Sequence, residues 1–333
     1  MNPQLAAQPL VSPLSMAQSL VAGELAQCER IFQAELAHAS PHVDQLLAHL
    51  SRYRGKRLRP MLVLLVGRAC GSLDEGHAVL AASIEMIHTA TLVHDDILDN
   101  ASQRRHVETV NSRWGSHVSV LLGDYLFTHA FHLASQLGDA AVCRALGRAT
   151  NRVCVGELTQ VFESGNLDLP EETYLDIIDG KTAELCAVAC ELAARRSGMS
   201  ASICQSLDAY GRSLGAAFQI ADDLLDLVGT EARVGKTLGS DVQNGKLTLP
   251  LIHLLTTGRD EDRQQARSLL AHPTRSSPGS LLQLLRDNRS LEYAQARAGE
   301  LIVAARLHLQ SLPASTARQV LEDLAEFVVA RNN

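Results

Sequence analysis

An all-α fold is predicted from the composition of the chain and from its lack of internal divisions. Apolar residues make up 46% of the 333 residues, while aromatic residues make up only 4%. Alanine and leucine recur in nearly every stretch, a mixture that favours helix over strand. No tandem repeat at a fixed period and no low-complexity linker divides the sequence. We therefore predict one helical domain over residues 16–333, preceded by a loose tail over residues 1–15, which carries three prolines and no charge.

The individual helices are predicted from apolar spacing and from the positions of proline and glycine. Two helices are expected in residues 16–50, split near Ser40 and Pro41, because proline is tolerated in the first turn of a helix. The apolar run Met61–Val66 follows a short basic segment and predicts a buried helix. Further helices are predicted at Gly76–Asn100, Val110–Leu137, Ala140–Glu163, Pro170–Ser197, Ser200–Val228 and Thr248–Thr257, with loops at Gly229–Leu247 and His272–Gly279 and amphipathic segments up to Phe327.

Charge and cysteine usage exclude several classes of protein. The formal net charge of -7 leaves no general basic surface for nucleic acid, so an anionic ligand must be held by a local cluster of positive residues. Seven cysteines without a CxxC pair or zinc-ligand spacing indicate free thiols in a reducing compartment. The first arginine is Arg30, which argues against a signal peptide or a mitochondrial presequence. No uninterrupted apolar stretch of about 18 residues occurs, so we expect a cytoplasmic protein without a transmembrane helix.

Two aspartate-rich motifs lie in otherwise apolar helices. Asp95 and Asp99 are spaced i and i+4, so both carboxylates project from one face of a helix and repel each other. Asp222 and Asp226 repeat this spacing. A single motif of this kind is more often a solvated acidic face, but both copies here interrupt apolar runs. The two motifs together indicate ligands for a hard divalent cation such as Mg²⁺, which is often shared between carboxylates and phosphate oxygens.

Basic residues lie near both motifs. Each one alone is most simply a surface charge. As a set they fit diphosphate recognition, because arginine offers a planar fork to phosphate oxygens and lysine a mobile point charge. Gly55, Gly235 and Gly245 each precede a lysine, which would let the backbone approach an anion closely. The basic set comprises Lys56, Arg57, Arg59, Arg104, Arg105, Lys181, Lys236 and Lys246.

Ordered motifs between residues 55 and 250 resemble those of the trans-polyprenyl diphosphate synthases. Several motifs in this order are highly specific, and the resemblance is weaker outside that span. Three positions depart from the family pattern: Arg54 and His106 stand where glycine is usual, and Leu247 replaces a frequent proline. The motifs that carry the resemblance are Gly55–Pro60 (GKRLRP), Asp95–Asp99 (DDILD), the pair Arg104 and Arg105, Gly180–Ala183 (GKTA), Phe218–Asp226 (FQIADDLLD) and Gly245–Pro250 (GKLTLP).

This resemblance implies an all-α bundle around a deep central cavity, with the aspartate motifs facing each other across its mouth. About three Mg²⁺ ions would bridge the motifs to an allylic diphosphate, and the protein would be a homodimer. The implied metal ligands are Asp95, Asp96, Asp99, Asp222, Asp223 and Asp226, and the implied catalytic residues are Asp95, Asp99, Lys181 and Asp222. The implied contacts are Lys56, Arg59, His88 and Arg105 for isopentenyl diphosphate, and Arg104, Lys181, Thr182, Gln219 and Lys236 for the allylic diphosphate.

His88 needs separate weighing because a lone histidine in an apolar run is more often a core residue than a ligand. It lies two helical turns before Asp95 on the same helix face, and the resemblance places it at a binding position, so we assign it as a ligand. Gln219 lies one turn before Asp222, and the same helix-face argument supports its assignment as a ligand-binding residue. Cys186 and Cys190 have no comparable support and are assigned to the core.

Product length is predicted from the helix that carries the first aspartate motif. A hydrocarbon growing away from the metal ligands would run back along this helix past Thr91 and Ala90. Short-chain members of the family place an aromatic residue at one of these positions, whereas both residues here are small. We therefore predict a long product of about thirty carbons or more, of the kind used for quinone side chains, with Phe127 or Phe131 as candidates for the cavity floor.

Three alternatives remain open at this stage. The product could be shorter, as in farnesyl or geranylgeranyl diphosphate synthases. The chain could be a non-catalytic subunit, although such subunits would be expected to lose aspartates and both motifs here are complete. A terpene cyclase would share the fold and the first motif, but it would need no site for isopentenyl diphosphate, and Lys56, Arg59 and Arg105 argue against it.

Overall fold

The described chain is almost entirely helical, which confirms the predicted fold class. The structure, a computed structural model, describes residues 12–37, 40–53, 55–228, 239–271 and 277–330. Within these ranges the only strands form a two-stranded antiparallel hairpin in which Gln103 pairs with Glu108 and Arg104 with Val107.

In the first half of the chain, the described residues form eight α-helices and the hairpin. These elements are α1 (Pro13–Leu20), α2 (Ala22–Leu36), α3 (Pro41–Leu50), α4 (Leu58–Ala69), α5 (Glu75–Leu98), β1 (Gln103–Arg104), β2 (Val107–Glu108), α6 (Val110–Trp114), α7 (Ser116–Ser135) and α8 (Ala140–Phe162).

The second half adds nine α-helices and one π-helical segment within the described ranges. They are α9 (Glu171–Ile178), the π segment (Asp179–Ala183), α10 (Glu184–Arg196), α11 (Ala201–Val228), α12 (Ser240–Gln243), α13 (Leu249–Thr257), α14 (Asp260–Ala271), α15 (Ser277–Asp287), α16 (Ser290–Leu309) and α17 (Thr316–Ala330).

Several elements differ from the sequence prediction. The short helix α12 lies within the predicted loop Gly229–Leu247, and α15 begins within the predicted loop His272–Gly279. The first helix begins at Pro13 rather than Met16, because Ser12 caps it by accepting a hydrogen bond from the Ser15 N–H. A break at Val21 separates α1 from α2, so residues 16–50 hold parts of three helices instead of two. Gly115, with φ of 83°, divides the predicted helix Val110–Leu137 into α6 and α7. The predicted helix Pro170–Ser197 contains the π segment, which widens one turn.

Two buried clusters make up the core. The larger one surrounds α5, which packs against α2, α4, α7 and α10. The smaller one lies between α9, the C-terminal half of α11 and helices α13 to α16. Since α5 and α11 carry the two aspartate motifs, each motif is mounted on a long helix that the core holds firmly.

One described helix, α5, is long and apolar enough to span a membrane by length and composition. Of that apolar stretch, 78% is buried inside the protein. The burial identifies α5 as the central core helix, in agreement with its packing against four other helices.

Candidate active site

A cavity of about 810 Å³ lies between α5 and α11. Side chains from α8, the π segment, α17 and the segment before α4 complete its wall. Ala90, Asp96 and Asp226 are not among its lining residues, and Lys236 lies outside the described residues. The predicted site residues that line it are Lys56, Arg59, His88, Thr91, Asp95, Asp99, Arg104, Arg105, Lys181, Thr182, Gln219, Asp222 and Asp223.

The first aspartate motif divides between the cavity and the protein interior. Asp95 and Asp99 line the cavity, as their spacing on one helix face predicts. Asp96 is 1% exposed and accepts a hydrogen bond from Arg104 Nε at 2.8 Å. Burial raises the pKa of Asp96 to about 6, although Arg104 opposes the shift. Asp96 therefore serves here to anchor Arg104 and does not reach the cavity as a ligand.

The second motif divides in a similar way. Asp222 is exposed to the cavity, whereas Asp223 is buried and accepts hydrogen bonds from Tyr174 Oη at 2.7 Å and Gln219 Nε2 at 2.8 Å. Burial raises the pKa of Asp223. Asp226 is 1% exposed and accepts a hydrogen bond from the Asp241 N–H at 3.1 Å. Asp226 thus ties α12 to the C-terminal end of α11. Asp222 is the only exposed aspartate of the three, whereas Asp223 lines the cavity with its oxygens already hydrogen-bonded.

Two lysines that line the cavity pair with carboxylates. Lys181 Nζ lies 2.6 Å from Glu157 Oε1, and Lys246 Nζ lies 2.7 Å from Asp99 Oδ1. Burial opposes the charged form of Lys181, but the nearby Asp95 and Glu157 outweigh it and raise the pKa of Lys181. Both ammonium groups can therefore turn from a protein carboxylate to a phosphate oxygen.

The predicted isopentenyl diphosphate residues form a second cationic cluster. Arg59 Nε is buried and has no hydrogen-bond partner among the described groups. His88 lines the cavity beside it, and burial together with Arg59 and Arg105 holds the pKa of His88 well below its usual range. The imidazole is therefore neutral and acts as a hydrogen-bonding group beside permanent charges.

Arg105 is aimed at this cluster by the hairpin turn. Arg105 and His106 have φ of 53° and 64°, which are the left-handed values of a type I′ turn. Since that turn favours glycine, His106 adopts the glycine-like backbone at the position where the family usually has glycine. Arg105 Nη1 donates to the Tyr53 carbonyl at 3.0 Å, and its guanidinium lies where a Cβ on Gly55 would be. A side chain at position 55 would therefore displace the Arg105 guanidinium.

Arg57 belongs to the basic segment before α4, and its ion pairs are structural. Its Nη1 lies 2.7 Å from Glu85 Oε1 and its Nη2 lies 3.0 Å from Glu29 Oε2. Glu85 is 6% exposed, so a buried carboxylate is neutralised by this arginine. Arg57 therefore ties the segment before α4 to α2 and α5.

Part of the cavity wall is apolar, and some of it comes from α1 and α17, which the sequence did not connect to the site. Leu92 of α5 and Phe218 of α11 line the cavity together with Leu14 of α1. Ala90 is fully buried in the core beside Thr91, and neither Phe127 nor Phe131 is among the lining residues. The C-terminal helix contributes Leu324, Phe327 and Val328 to this wall.

The donor set fits a metal that is shared with a bound diphosphate. In the described ranges, no three His, Cys, Asp or Glu side chains cluster closely enough to hold an ion by themselves. Asp95 and Asp99 reach the cavity from α5, and Asp222 reaches it from α11. Mg²⁺ is usually held by one or two carboxylates together with substrate phosphates, so this arrangement fits it.

Sequence reasoning missed three residues that orient the site. Glu157 and Gln160 of α8 both contact Lys181, with Gln160 Oε1 accepting from Nζ at 3.1 Å. Tyr174 of α9 holds Asp223. Glu157 and Gln160 are spaced i and i+3, which places both on one helix face, and this spacing is the signal that could have indicated them.

In this protein, long helices bring paired carboxylates and cationic side chains into one cavity. Together with the family match, this arrangement assigns the protein to the prenyltransferases that act on diphosphates. The chain belongs to the polyprenyl synthetase family, whose family model matches residues 40–286. It is a trans-polyprenyl diphosphate synthase by this family and by its similarity to curated long-chain synthases.

The similar proteins cover nearly the whole chain. The octaprenyl diphosphate synthase of Escherichia coli (strain K12) is 37% identical over 291 residues, which is 87% of this chain and 90% of that protein. A decaprenyl diphosphate synthase from Rhodobacter capsulatus has a TM-score of 0.91 at 35% identity and covers 96% of this chain and 100% of its own. A polyprenyl synthase from Caulobacter crescentus CB15, complexed with calcium and isoprenyl diphosphate, has a TM-score of 0.92 at 32% identity, covering 98% and 100%. A short chain isoprenyl diphosphate synthase of Methanothermobacter thermautotrophicus is 36% identical, so identity alone does not set product length.

Proposed function

We propose that the protein is a Mg²⁺-dependent synthase that adds isopentenyl diphosphate repeatedly to an allylic diphosphate. The product is an all-trans polyprenyl diphosphate of about thirty carbons or more, used for quinone side chains. The observation that carries the proposal is that the exposed aspartates of both motifs and both cationic clusters line one cavity. That cavity has room and charge for two diphosphates side by side.

The allylic diphosphate is held by Lys181, Thr182 and Gln219, with Arg104 at the edge of the same cavity. Thr182 Oγ1 donates to Gln219 Oε1 at 2.8 Å, which joins the π segment to α11 and fixes both side chains. Bound Mg²⁺ supplies positive charge that stabilises the departing diphosphate. The cationic side chains add to this stabilisation as the C–O bond breaks and an allylic cation forms.

Isopentenyl diphosphate is held at the second cluster by Lys56, Arg59 and Arg105, with neutral His88 beside them. Its double bond attacks the allylic cation, and a proton then passes to the released diphosphate. The product is again an allylic diphosphate and is one isoprene unit longer. No side-chain nucleophile is needed for these steps.

The long-chain assignment is supported by the small residues one turn before Asp95. Thr91 lines the cavity and Ala90 is buried next to it, so neither blocks the path back along α5. Long-chain names among the similar proteins add support. A shorter product remains the alternative, and the Methanothermobacter relative is the observation that favours it.

We also propose a cytoplasmic homodimer that pairs through α7 and α8. Seven free thiols suit a reducing compartment. Apolar side chains on these helices are exposed in the single chain, since Leu121 is 68% and Phe162 is 84% exposed. Val155, Leu158 and Phe162 recur at helical spacing on α8, and such a stripe marks a protein interface.

The test is an incubation of the protein with Mg²⁺, farnesyl diphosphate and labelled isopentenyl diphosphate, followed by sizing of the dephosphorylated products. We expect labelled chains of about thirty carbons or more, and no product when EDTA replaces Mg²⁺. Products that stop at fifteen or twenty carbons would favour the short-chain alternative. Absence of labelled product would favour a non-catalytic subunit, and unlabelled hydrocarbon formed from farnesyl diphosphate would favour a terpene cyclase.

A further inference from the structure

The π segment Asp179–Ala183 presents two of the allylic diphosphate residues. Lys181 and Thr182 of this segment line the cavity. A π-helical turn is rare and intrinsically less favourable than an α-helical one, and such turns occur frequently at functional sites. The direction of both side chains therefore depends on whatever holds this turn in its widened form.

Neighbouring helices hold the segment by close backbone contact. A Cβ on Gly156 of α8 would lie 2.8 Å from the Lys181 nitrogen. A Cβ on Gly215 of α11 would lie 2.6 Å from the Ala183 Cα. The segment is thus pressed between α8 and α11, and a shift of either helix would move Lys181 and Thr182.

An ion-pair cluster closes around the two ends of the segment. Arg212 of α11 binds Asp179, the first residue of the segment, through Nη1 at 2.8 Å from Oδ1 and 2.9 Å from Oδ2. Its Nη2 lies 2.8 Å from Oε2 of Glu184, the residue directly after the segment. Arg152 of α8 adds a contact of 2.6 Å to Asp179 Oδ2. The Arg212 guanidinium therefore links the first residue of the π segment to the residue directly after it.

The cluster acts at a distance from the substrate. Asp179, Glu184, Arg152 and Arg212 are not among the residues that line the cavity. Glu184 is 4% exposed, and such a buried carboxylate is stable only with a cation beside it. Arg212 also lies on the same helix as Gln219 and Asp222, so it fixes the π turn relative to the second aspartate motif.

We propose that Arg212 is a positioning residue for the allylic diphosphate pocket, acting through Asp179 and Glu184 on Lys181 and Thr182. The inference rests on the proposed function, because it assigns those two residues to the allylic substrate. It predicts that loss of Arg212 weakens binding of one diphosphate and spares the other. A purely structural ion pair would show no such selectivity.

The test measures dissociation constants by titration calorimetry in the presence of Mg²⁺. The probes are geranyl S-thiolodiphosphate, an analogue that resists ionisation, and isopentenyl diphosphate. Arg212→Gln is expected to weaken binding of the analogue by about tenfold, because the π segment loses its charge-assisted contacts with Arg212 and no longer fixes Lys181 and Thr182. Isopentenyl diphosphate should bind within about twofold of the wild type. Arg212→Lys should fall between, since one ammonium cannot replace a guanidinium that holds two carboxylates at once.

The matched control is Arg148→Gln, one turn before Arg152 on α8. Arg148 pairs with Glu191 of α10 at 3.4 Å, away from the π segment, so its loss should change neither dissociation constant. Equal weakening of both ligands by Arg212→Gln, or a lower melting temperature with unchanged dissociation constants, would overturn the positioning role. If Arg212→Gln does not fold, Asp179→Asn replaces it, and unchanged binding of the analogue by that variant would overturn the proposal.

These outcomes separate the inference from the proposed function. A wild-type protein that binds both diphosphates without joining them contradicts the proposed function, and the comparison of variants still decides the role of Arg212. A wild-type protein that binds neither diphosphate overturns both proposals.

Discussion

At the residue scale, neighbouring aspartates differ because a helix turns by about 100° per residue. Asp95 points into the cavity, and Asp96 consequently points into the interior, where Arg104 pairs with it. The same division separates Asp222 from Asp223, which Tyr174 holds. An aspartate motif of this kind therefore supplies cavity-facing carboxylates and a buried anchor from one short stretch of helix.

The exposed aspartates are expected to control turnover. Asp95→Ala and Asp222→Ala should each lower kcat by about 10²-fold or more, since each removes charge that acts on the transition state. Far-UV circular dichroism should show unchanged helix content, because removing one of two repelling carboxylates does not strain the helix. Glu292→Ala, at an exposed position of α16, serves as the control. Near-normal kcat in either aspartate variant would remove that residue from the proposed metal site.

The two cationic clusters are expected to separate kinetically. Arg59→Ala should raise KM for isopentenyl diphosphate by about 10- to 100-fold, which corresponds to one charge-assisted contact. Lys181→Ala should raise KM for the allylic substrate by a similar factor and leave the KM for isopentenyl diphosphate nearly unchanged. Initial rates with each substrate varied in turn provide the measurement. The reverse pattern would show that the two sites are exchanged.

At the element scale, α5 combines a cap at its start with the first aspartate motif at its end. Asp74 caps it by accepting from the His77 N–H at 3.2 Å, and Arg196 of α10 binds both oxygens of Asp74 at 2.7 Å. The cap fixes where the helix begins, and the core fixes its direction. The position of Asp95 is therefore set by contacts made more than four turns away.

Bulk placed one turn before Asp95 is expected to shorten the product. Thr91→Tyr would project directly into the cavity, and Ala90→Tyr would crowd it from the buried side of α5. Both variants should stop at about twenty carbons or fewer and stay active, because the diphosphate contacts are unchanged. Chromatographic sizing of the products checks this, with Val303→Tyr at an exposed position of α16 as the control. A product of unchanged length in both variants would mean that the growing hydrocarbon does not run past Thr91 and Ala90.

The cap of α5 is expected to contribute stability that depends on pH. Asp74→Ala should lower the free energy of unfolding by about 1–2 kcal/mol at pH 7. Hydrogen bonds from Arg196, with help from His77, lower the pKa of Asp74 to about 2, below its unfolded value of about 3.9. The contribution is therefore complete above about pH 4 and is lost as pH falls towards about 2.

Urea unfolding at pH 7 and at steps down to pH 3 measures this effect. The difference in free energy of unfolding between the wild type and Asp74→Ala should begin to narrow at the lowest pH values. Asp74→Asn keeps a good capping group but has no charge. It should therefore lower the free energy of unfolding less than Asp74→Ala at pH 7, and its free energy of unfolding should depend less on pH than that of the wild type. A constant gap for Asp74→Ala would mean that the ion pair with Arg196 does not contribute.

Long helices with regular apolar spacing were predictable from the sequence, and interruptions of the helices were less so. The bounds of α5, α8 and α11 match the prediction closely because Asp139 and glycines lie at or near their ends. The break at Gly115 and the π segment depend on backbone angles that tertiary packing selects. The cavity residues of the motifs were predictable, but Glu157 and Tyr174 were not, since they join the site only when separate helices pack together.

At the scale of the whole molecule, exposed apolar side chains concentrate on the outer faces of α7 and α8. The set is Val120, Leu121, Val155, Leu158, Val161 and Phe162, all at least 44% exposed. Both helices also contact the elements of the site, because α8 carries Glu157 and α7 packs on α5. A dimer that covers these faces would therefore stiffen the cavity wall.

Leu158→Glu is expected to dissociate the homodimer, because a charge buried without a partner costs several kcal/mol. Sedimentation velocity at about 10 μM should show the variant as a monomer and the wild type as a dimer. Leu307→Glu on α16 is the matched control, since Leu158 and Leu307 are each 58% exposed. A wild-type protein that sediments as a monomer, or a control that dissociates equally, would contradict pairing through α8.

The burial of α5 has a consequence for how the protein is made. This helix, suited by length and composition to a lipid bilayer, is sheltered only after helices from both halves of the chain have assembled around it. Until α10 arrives, this segment remains available to other hydrophobic surfaces. Newly synthesised protein is therefore most vulnerable to aggregation before residues 184–196 emerge and fold. Variants that loosen the contact between α5 and α10 should lower the yield of folded protein before they affect its activity.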